Sequence, residues 1–193
     1  MFSSGDTWIW LHEPKHRWED DVLTIVTEAE TDFWQGTHTG YRRDNGHGLL
    51  TDVQHDFSLE ARCSFVPSNR FDQGGLMVRI DMENWIKVCI ESETKSVSRL
   101  GSVVTNLGYS DWASVDIDAT VRRMWFRVQG KGADILIECS ETGKHWRQMR
   151  IAHLHAYPGR LSIGVFACSP SQGSGFDAVF DHLSISDRLW EDS

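Results

Sequence analysis

Alternate residues between positions 85 and 91 carry side chains that could bind a polar ligand. Trp85, Lys87 and Glu91 are separated by Ile, Val and Cys residues, with Ile again before Glu91. In a β-strand, side chains alternate between two faces, so the aliphatic residues would face a core and the other three would share the outer face. An indole, a cation and an anion, each about 7 Å from the next such position, could orient a polar molecule.

A neighbouring alternating segment would add Met77 and Arg79 to the same outer face. We therefore expect this face to form the floor of a groove, with Lys87, Arg79 and Glu91 in one charged network. The alternative is a cross-strand ion pair on an ordinary solvated surface.

Loop residues would form the rim of such a groove. Indoles provide apolar platforms for sugar rings, and carboxylate, amide and imidazole groups hydrogen-bond to hydroxyls. The predicted ligand-binding residues are Trp34, His38, His47, Gln73, Arg79, Trp85, Lys87, Glu91, Asp111 and Trp112. In the alternative interpretation, the tryptophans pack in the core, and Asp32, Asp44 and Asp72 only fix turns through bonds to the backbone.

The elements that must position these residues are short strands. Apolar and polar residues alternate with a period of two in segments 57–65, 76–81, 86–91, 124–129, 135–139 and 161–167. Turn sequences such as Asp44-Asn45-Gly46 and Pro158-Gly159 separate them. Since no segment of eleven or more residues keeps a helical stripe, the pattern predicts an all-β sandwich or barrel, organised as one domain over residues 1–193.

Composition excludes several functional classes. The formal net charge is −9 and no Lys/Arg cluster exceeds a pair, so binding to nucleic acid or to an anionic membrane is not expected. No apolar segment is long enough for a membrane helix, and the first six residues lack a secretory signal. The four cysteines form no CxxC motif and His12 and His16 are separated by Pro14, so we expect no metal and no cofactor. Cysteines within strand-like segments are typical of a cytoplasmic protein.

Six ordered motifs together resemble one family, and the resemblance covers nearly the whole chain, roughly from Trp8 to Ile185. They are Thr31-Asp32-Phe33-Trp34-Gln35, Arg43-Asp44-Asn45-Gly46-His47, Phe71-Asp72-Gln73-Gly74-Gly75-Leu76-Met77-Val78-Arg79, Asn84-Trp85-Ile86-Lys87 leading to Glu91, Ser102-Val103-Val104-Thr105 leading to Ser110-Asp111-Trp112, and Gly164 to Pro170 with Gly175-Phe176. The family is concanavalin A-like and is called "regulation of enolase protein" in its yeast representative. The resemblance implies a jelly-roll sandwich of two curved antiparallel sheets, a cytoplasmic location, sugar binding by analogy with lectins and glucanases, and a link to enolase.

Glycoside cleavage would require two carboxyl groups at a suitable separation. Concanavalin A-like glucanases typically place Glu-x-Asp-x-x-Glu on one strand, and this string is absent here. If the chain is an enzyme, Glu91 and Asp111 are the predicted catalytic pair, with Asp81 as another partner for Glu91. The sequence favours a domain that binds a carbohydrate or similar polar ligand on its concave face. A regulator that contacts a metabolic enzyme is the first alternative, and a glycoside hydrolase or lyase is the second.

Overall fold

The fold is built from β-strands alone within residues 7–191, which are the residues that the computed structural model describes. Residues 1–6 and 192–193, at the ends of the predicted domain, lie outside this part of the chain. In chain order the strands are β1 (Ile9–Leu11), β2 (Lys15–Glu19), β3 (Val22–Val26), β4 (Phe33–Gln35), β5 (Arg42–Asp44), β6 (His47–Val53), β7 (Phe57–Phe65), β8 (Gln73–Asp81), β9 (Asn84–Ser92), β10 (Val97–Asn106), β11 (Tyr109–Asp118), β12 (Arg123–Lys131), β13 (Asp134–Ser140), β14 (Arg147–His153), β15 (Leu161–Cys168) and β16 (Asp177–Ser186).

Two seven-stranded antiparallel sheets contain all of these strands except β4 and β5. The first sheet has the order β1-β6-β15-β8-β9-β10-β11, and the second has the order β14-β13-β12-β7-β16-β3-β2. Strands β4 and β5 pair only with each other. The last two strands in sequence, β15 and β16, therefore lie inside the two sheets, between strands that come much earlier in the chain.

The core between the sheets follows the predicted alternation. Ile86, Val88 and Ile90 of β9 are buried against residues of the second sheet such as Leu59 and Phe126. Because every second residue of each central strand is apolar, two such faces exclude water when they are stacked. The predicted all-β fold is confirmed as a concanavalin A-like jelly-roll sandwich of two curved antiparallel sheets.

Local hydrogen bonds close the turn that sets the register of the candidate site. Asp81 Oδ1 accepts hydrogen bonds from the backbone N–H of Glu83 at 2.8 Å and from Asn84 Nδ2 at 2.9 Å. This turn joins β8 to β9 and places Gln73 directly opposite Glu91, and Met77 opposite Lys87. The turn predicted from the sequence at residues 81–84 is therefore present.

A second apolar cluster lies on the outer face of the first sheet. Its buried members are Phe33, Leu50, Met77, Trp85, Cys89, Val103, Phe166 and Cys168. Residues 32–44, which comprise Asp32, β4, β5 and the loop between the two strands, cover part of this face, and we call them the cover hairpin. The outer face of the first sheet is thus partly a protein interior. A helix able to cross a membrane is absent from residues 7–191.

Candidate functional site

Lys87 holds the start of the cover hairpin against the first sheet. Its side chain is almost fully buried, and its ammonium donates a hydrogen bond to the carbonyl of Phe33 at 2.7 Å. Asp32 Oδ1 lies 3.4 Å from the same ammonium. Burial opposes ionisation of Lys87, but nearby negative charge, chiefly that of Asp32, outweighs it, and the pKa of Lys87 lies above its ordinary value. Lys87 is therefore a charged anchor for this segment.

Arg79 anchors the other end of the cover hairpin. Its guanidinium donates two hydrogen bonds to the carboxylate of Asp44, at 2.8 and 2.7 Å, in a bidentate arrangement. The predicted network of Lys87, Arg79 and Glu91 is wrong, because each cation pairs with an aspartate of the covering segment instead. Glu91 is left outside both pairs.

The uncovered part of the outer face opens into a pocket with a volume of about 1060 Å³. We call it the outer pocket. Strands β8 to β11 form its floor and far side, and the tip of the cover hairpin forms the near side. Its lining residues are Asp32, Trp34, Thr37, His38, Thr39, Tyr41, Phe71, Gln73, Lys87, Cys89, Glu91, Val103, Tyr109, Ser110, Asp111, Trp112 and Pro170.

The walls of the outer pocket are rich in aromatic side chains. The indole N–H of Trp34 donates to the carbonyl of Thr37 at 3.1 Å, which fixes this ring within the hairpin. Trp112 is 39% exposed and Tyr41 is 38% exposed. Both residues line the pocket, and both present ring surface to solvent. Partly exposed rings with a few polar groups between them are typical of sites that bind small ligands.

Glu91 is the polar group on the floor that has no direct partner. Within residues 7–191, its carboxylate forms no hydrogen bond and no ion pair, although Gln73 and Arg99 are its neighbours across the ladders. Burial raises the pKa of Glu91 to about 7, against the opposing effect of Lys87. The carboxyl group can therefore gain or lose a proton near neutral pH, or receive a hydrogen bond from a ligand.

Seven of the ten predicted ligand-binding residues line this one pocket. They are Trp34, His38, Gln73, Lys87, Glu91, Asp111 and Trp112. The structure thus brings together residues that are up to 78 positions apart in sequence, from Trp34 on β4 to Trp112 on β11. Their role in binding remains a prediction.

Trp85, Arg79 and His47 lie elsewhere. Trp85 is fully buried beneath Phe33, and its indole N–H donates to the carbonyl of Met82 at 3.2 Å, so no ligand can stack on it in this structure. Arg79 is covered together with Asp44, as described above. Strand parity predicted the face that carries Trp85 and Arg79, but not that a further segment buries them.

His47 belongs to a separate, smaller pocket. Its Nε2 accepts a hydrogen bond from the backbone N–H of Glu28 at 3.1 Å, and its Nδ1 lies 2.7 Å from the carbonyl of His12. These contacts assign the neutral tautomer with the proton on Nδ1, and burial lowers the pKa of His47 accordingly. The imidazole links three chain segments, and it does not reach the outer pocket.

The predicted catalytic pair is not formed. Asp111 is in register with Val104 of β10, whereas the residue of β10 opposite Glu91 is Arg99, five positions earlier in that strand. The carboxylate of Asp111 accepts a hydrogen bond from Arg150 of the second sheet at 2.7 Å. Asp81, the other predicted partner, bonds within its own turn. The strand register therefore separates the acids that the sequence alone could not place.

Several residues that line the outer pocket were not predicted as site residues. Asp32 was considered only in the alternative interpretation, as a residue that fixes a turn, and Tyr41, Phe71 and Tyr109 were not singled out. Tyr41 closes the segment Thr37-His38-Thr39-Gly40, in which His38 and Gly40 both have positive φ angles. A short polar segment with an adjacent Tyr is a signal for an exposed loop that contacts ligands. Asp72 has the predicted structural role, since its Oδ2 accepts hydrogen bonds from the backbone of Ser68 and Asn69.

No group of three or more His, Cys, Asp or Glu side chains in residues 7–191 is placed to hold a metal ion. A family model described as "Protein of unknown function (DUF1349)" matches residues 10–188. "Regulation of enolase protein 1" from Saccharomyces cerevisiae is 33% identical over 181 residues, which cover 93% of this chain and 89% of that protein.

Solved structures agree with this relationship. The crystal structure of a functionally unknown protein from Saccharomyces cerevisiae has a TM-score of 0.87 and 32% identity, and the match covers 95% of this chain and 97% of that chain. The carbohydrate binding module CBM66 from Bacillus subtilis has a TM-score of 0.58 and 14% identity, covering 97% of this chain and all of that one. At that identity the second likeness concerns the fold alone.

Proposed function

The chain belongs to the DUF1349 family of proteins of unknown function, and within that family we propose that it is a non-catalytic domain that binds a carbohydrate or another small polar ligand in the outer pocket. The observation that carries the proposal is the unpartnered carboxyl of Glu91 on the floor of a pocket with aromatic walls. Trp34 and Trp112 supply ring surface, and Glu91 with Gln73 supplies hydrogen-bonding groups for hydroxyls. The fold shared with a carbohydrate binding module supports the same ligand class.

A glycan array probed with the full chain tests this proposal, followed by titration of each hit while tryptophan fluorescence is recorded. We expect a bound sugar to shift the emission, because Trp34 and Trp112 line the pocket. Trp112→Ala should weaken binding by about tenfold, which corresponds to the loss of about 1.4 kcal/mol of stacking.

The matched control is Trp18→Ala, which removes a partly exposed indole from β2 at the far edge of the second sheet. It should leave the affinity unchanged. If no glycan on the array binds, or if the two tryptophan variants weaken binding equally, the outer pocket is not a sugar site.

A second candidate function is regulation of a metabolic enzyme through direct contact. Its support is the name of the yeast relative and the exposure of β11, one of the two edge strands of the first sheet. Val115 is opposite Leu100, so it is on the core-facing side of the sheet, yet it is 61% exposed. An unpaired strand edge with an uncovered apolar side favours association with another protein.

Purified enolase from the same source is the partner to test, by sedimentation of mixtures. Val115→Asp should abolish the complex, whereas Val66→Asp, at a valine that is 74% exposed on a distant loop, should not. Independent sedimentation of the two proteins at all concentrations would contradict this candidate.

The proposal also places the chain in the cytoplasm. Cys63, Cys89, Cys139 and Cys168 are all free and buried, as is typical of proteins in a reducing compartment. Fractionation of cells that produce the tagged chain should recover it with soluble cytoplasmic markers, and recovery with a secreted or organellar fraction would contradict this location.

A further inference from the structure

Not every charged side chain that lines the outer pocket is paired with an opposite charge. The ammonium of Lys87 lies 3.4 Å from Asp32, and the carboxylate of Asp111 is bonded to Arg150. The carboxylate of Glu91 is the remaining acidic group of the lining, and nothing within residues 7–191 pairs with it. The pocket therefore has one negative charge that a ligand can neutralise.

The nearest cations are already engaged by other acids. Arg99, directly opposite Glu91, makes only long ion pairs of 3.7 Å with Glu93 and Asp116, and its Nε has no hydrogen-bond partner within residues 7–191. Lys87, four residues before Glu91 on the same strand face, is committed to Asp32 and to the carbonyl of Phe33. Neither cation forms an ion pair or a hydrogen bond with the Glu91 carboxylate, so this group has no direct counter-charge within residues 7–191.

The aromatic side chains of the pocket attract cations. Arg43 lies over the ring of Tyr41 at 5.7 Å and Arg99 lies over the ring of Trp112 at 5.1 Å, although neither arginine lines the pocket. The faces of these rings carry negative potential, and their attraction to a cation is strengthened where water is excluded. A pocket walled by such rings with an unpaired carboxylate on its floor suits a positively charged group.

We propose that the ligand of the outer pocket is an amino sugar or similar hydroxylated amine, whose protonated amine pairs with Glu91 while its ring packs against Trp34 and Trp112. This inference rests on the proposed ligand binding and names the class of the ligand. Above pH 7, a neutral sugar would leave the ionised carboxylate without a counter-charge. An acidic sugar would meet like charge.

The pH dependence follows from the groups that face Glu91. Burial, Asp32 and Glu93 raise its pKa to about 7, whereas Lys87 and Arg99 lower it. An amine held by the carboxylate would favour the ionised form, so binding should release a proton at pH values near or below 7. Affinity for an amine should therefore rise as the pH increases from 5.5 to 8.

The test compares 6-amino-6-deoxyglucose and glucosamine with glucose, and the corresponding galactose series, by calorimetry with the full chain. At pH 8 we expect the 6-amino sugar of the preferred series, whose alkylammonium is still protonated, to bind about tenfold more tightly than its neutral counterpart, the equivalent of about 1.4 kcal/mol. Glu91→Gln should abolish this preference, because the amide has no charge to pair with the amine.

Glu60→Gln is the matched control, since Glu60 is a glutamate on the outer face of β7 in the second sheet. It should retain the full preference. Equal or tighter binding of the neutral sugars by the wild-type chain overturns the inference and leaves the proposed function standing. The absence of any ligand, both here and on the glycan array, overturns both.

Discussion

Lys87 and Glu91 lie on the same face of β9, but they differ in what compensates their charge. Lys87 is stabilised by an aspartate and a carbonyl that the cover hairpin brings to it. Glu91 lies beyond the edge of that hairpin and keeps an unpaired carboxyl beside an open pocket. A structural requirement explains the first residue and does not explain the second, which is why we assign ligand binding to Glu91.

For this single residue, we predict that Glu91→Gln stabilises the ligand-free chain at high pH. The pKa of Glu91 is about 7 in the folded chain against an ordinary value of 4.5, so the folded state retains a proton that the unfolded state releases between these values. Folding stability is thus lost as the pH rises from about 4.5 to about 7. The loss amounts to about 3 to 4 kcal/mol before solvent screening at the pocket reduces it.

Urea unfolding at pH 5 and pH 8.5 measures this effect. The free energy of unfolding of Glu91→Gln should exceed that of the wild type by more at pH 8.5 than at pH 5. The same difference at both pH values would mean that Glu91 is fully compensated in the folded chain.

Without the cover hairpin, the outer face of the first sheet would be an open surface and would form no pocket. The hairpin's two strands have only three residues each, and its hydrogen bonds are not continuous with those of either large sheet. Its contacts to the first sheet include the buried ring of Phe33, the Lys87–Asp32 and Arg79–Asp44 pairs, and a hydrogen bond from the backbone N–H of Gln35 to Ser110 Oγ of β11 at 2.9 Å. Since its tip supplies the near wall of the outer pocket, loosening these contacts would change the pocket.

We predict that Lys87→Met detaches the hairpin. Methionine fills a similar volume, but Asp32 and the Phe33 carbonyl lose their partner while they remain partly buried, which should cost about 3 kcal/mol. Trypsin should then cleave after Arg42 or Arg43 faster than in the wild type. Lys95→Met, at an exposed turn between β9 and β10, is the control. Equal cleavage rates for the two variants would show that Lys87 is not the anchor.

How far the sequence predicts this element can be judged from its residues. Alternation in β8 and β9 identified the face that carries Lys87 and Glu91, because every second residue there is aliphatic. It could not reveal the hairpin, since three-residue strands are too short to show a period. A clue was present in Met77, Trp85 and Cys89, three apolar residues on a face taken to be solvated. Such a face indicates a further covering layer.

The remaining misplacements have the same origin. Both the distance between Glu91 and Asp111 and the isolation of His47 depend on strand register and on the path of the chain between sheets. These features are set by long-range packing, which local propensity and residue spacing do not encode. The bonds of Asp72 to Ser68 and Asn69 agree with the turn role given to it in the alternative interpretation, because they are local, whereas its bond to Ser169 could not be predicted from spacing.

In the whole molecule, each sheet depends on a strand from the end of the sequence. β16 lies between β7 and β3 and carries Ala178 and Phe180 into the core, both nearly without exposure. We predict that a chain ending at residue 176 does not fold, because the apolar faces of β3 and β7 would lose the strand between them. It should show no cooperative thermal transition by circular dichroism, unlike a chain ending at residue 191. A cooperative transition in the shorter chain would contradict this requirement.

The late position of β15 and β16 also bears on how the chain is synthesised. Ribosomes add roughly 5–20 residues per second, and domains usually begin to fold while they emerge. Here, β6 and β8 pair with β15, and β3 and β7 pair with β16, so these backbone edges stay unpaired until residues 161–186 are made. Such edges are templates for aggregation. Translation pauses before residue 161 should therefore lower the yield of soluble protein, and chaperones that cover unpaired strands should restore it.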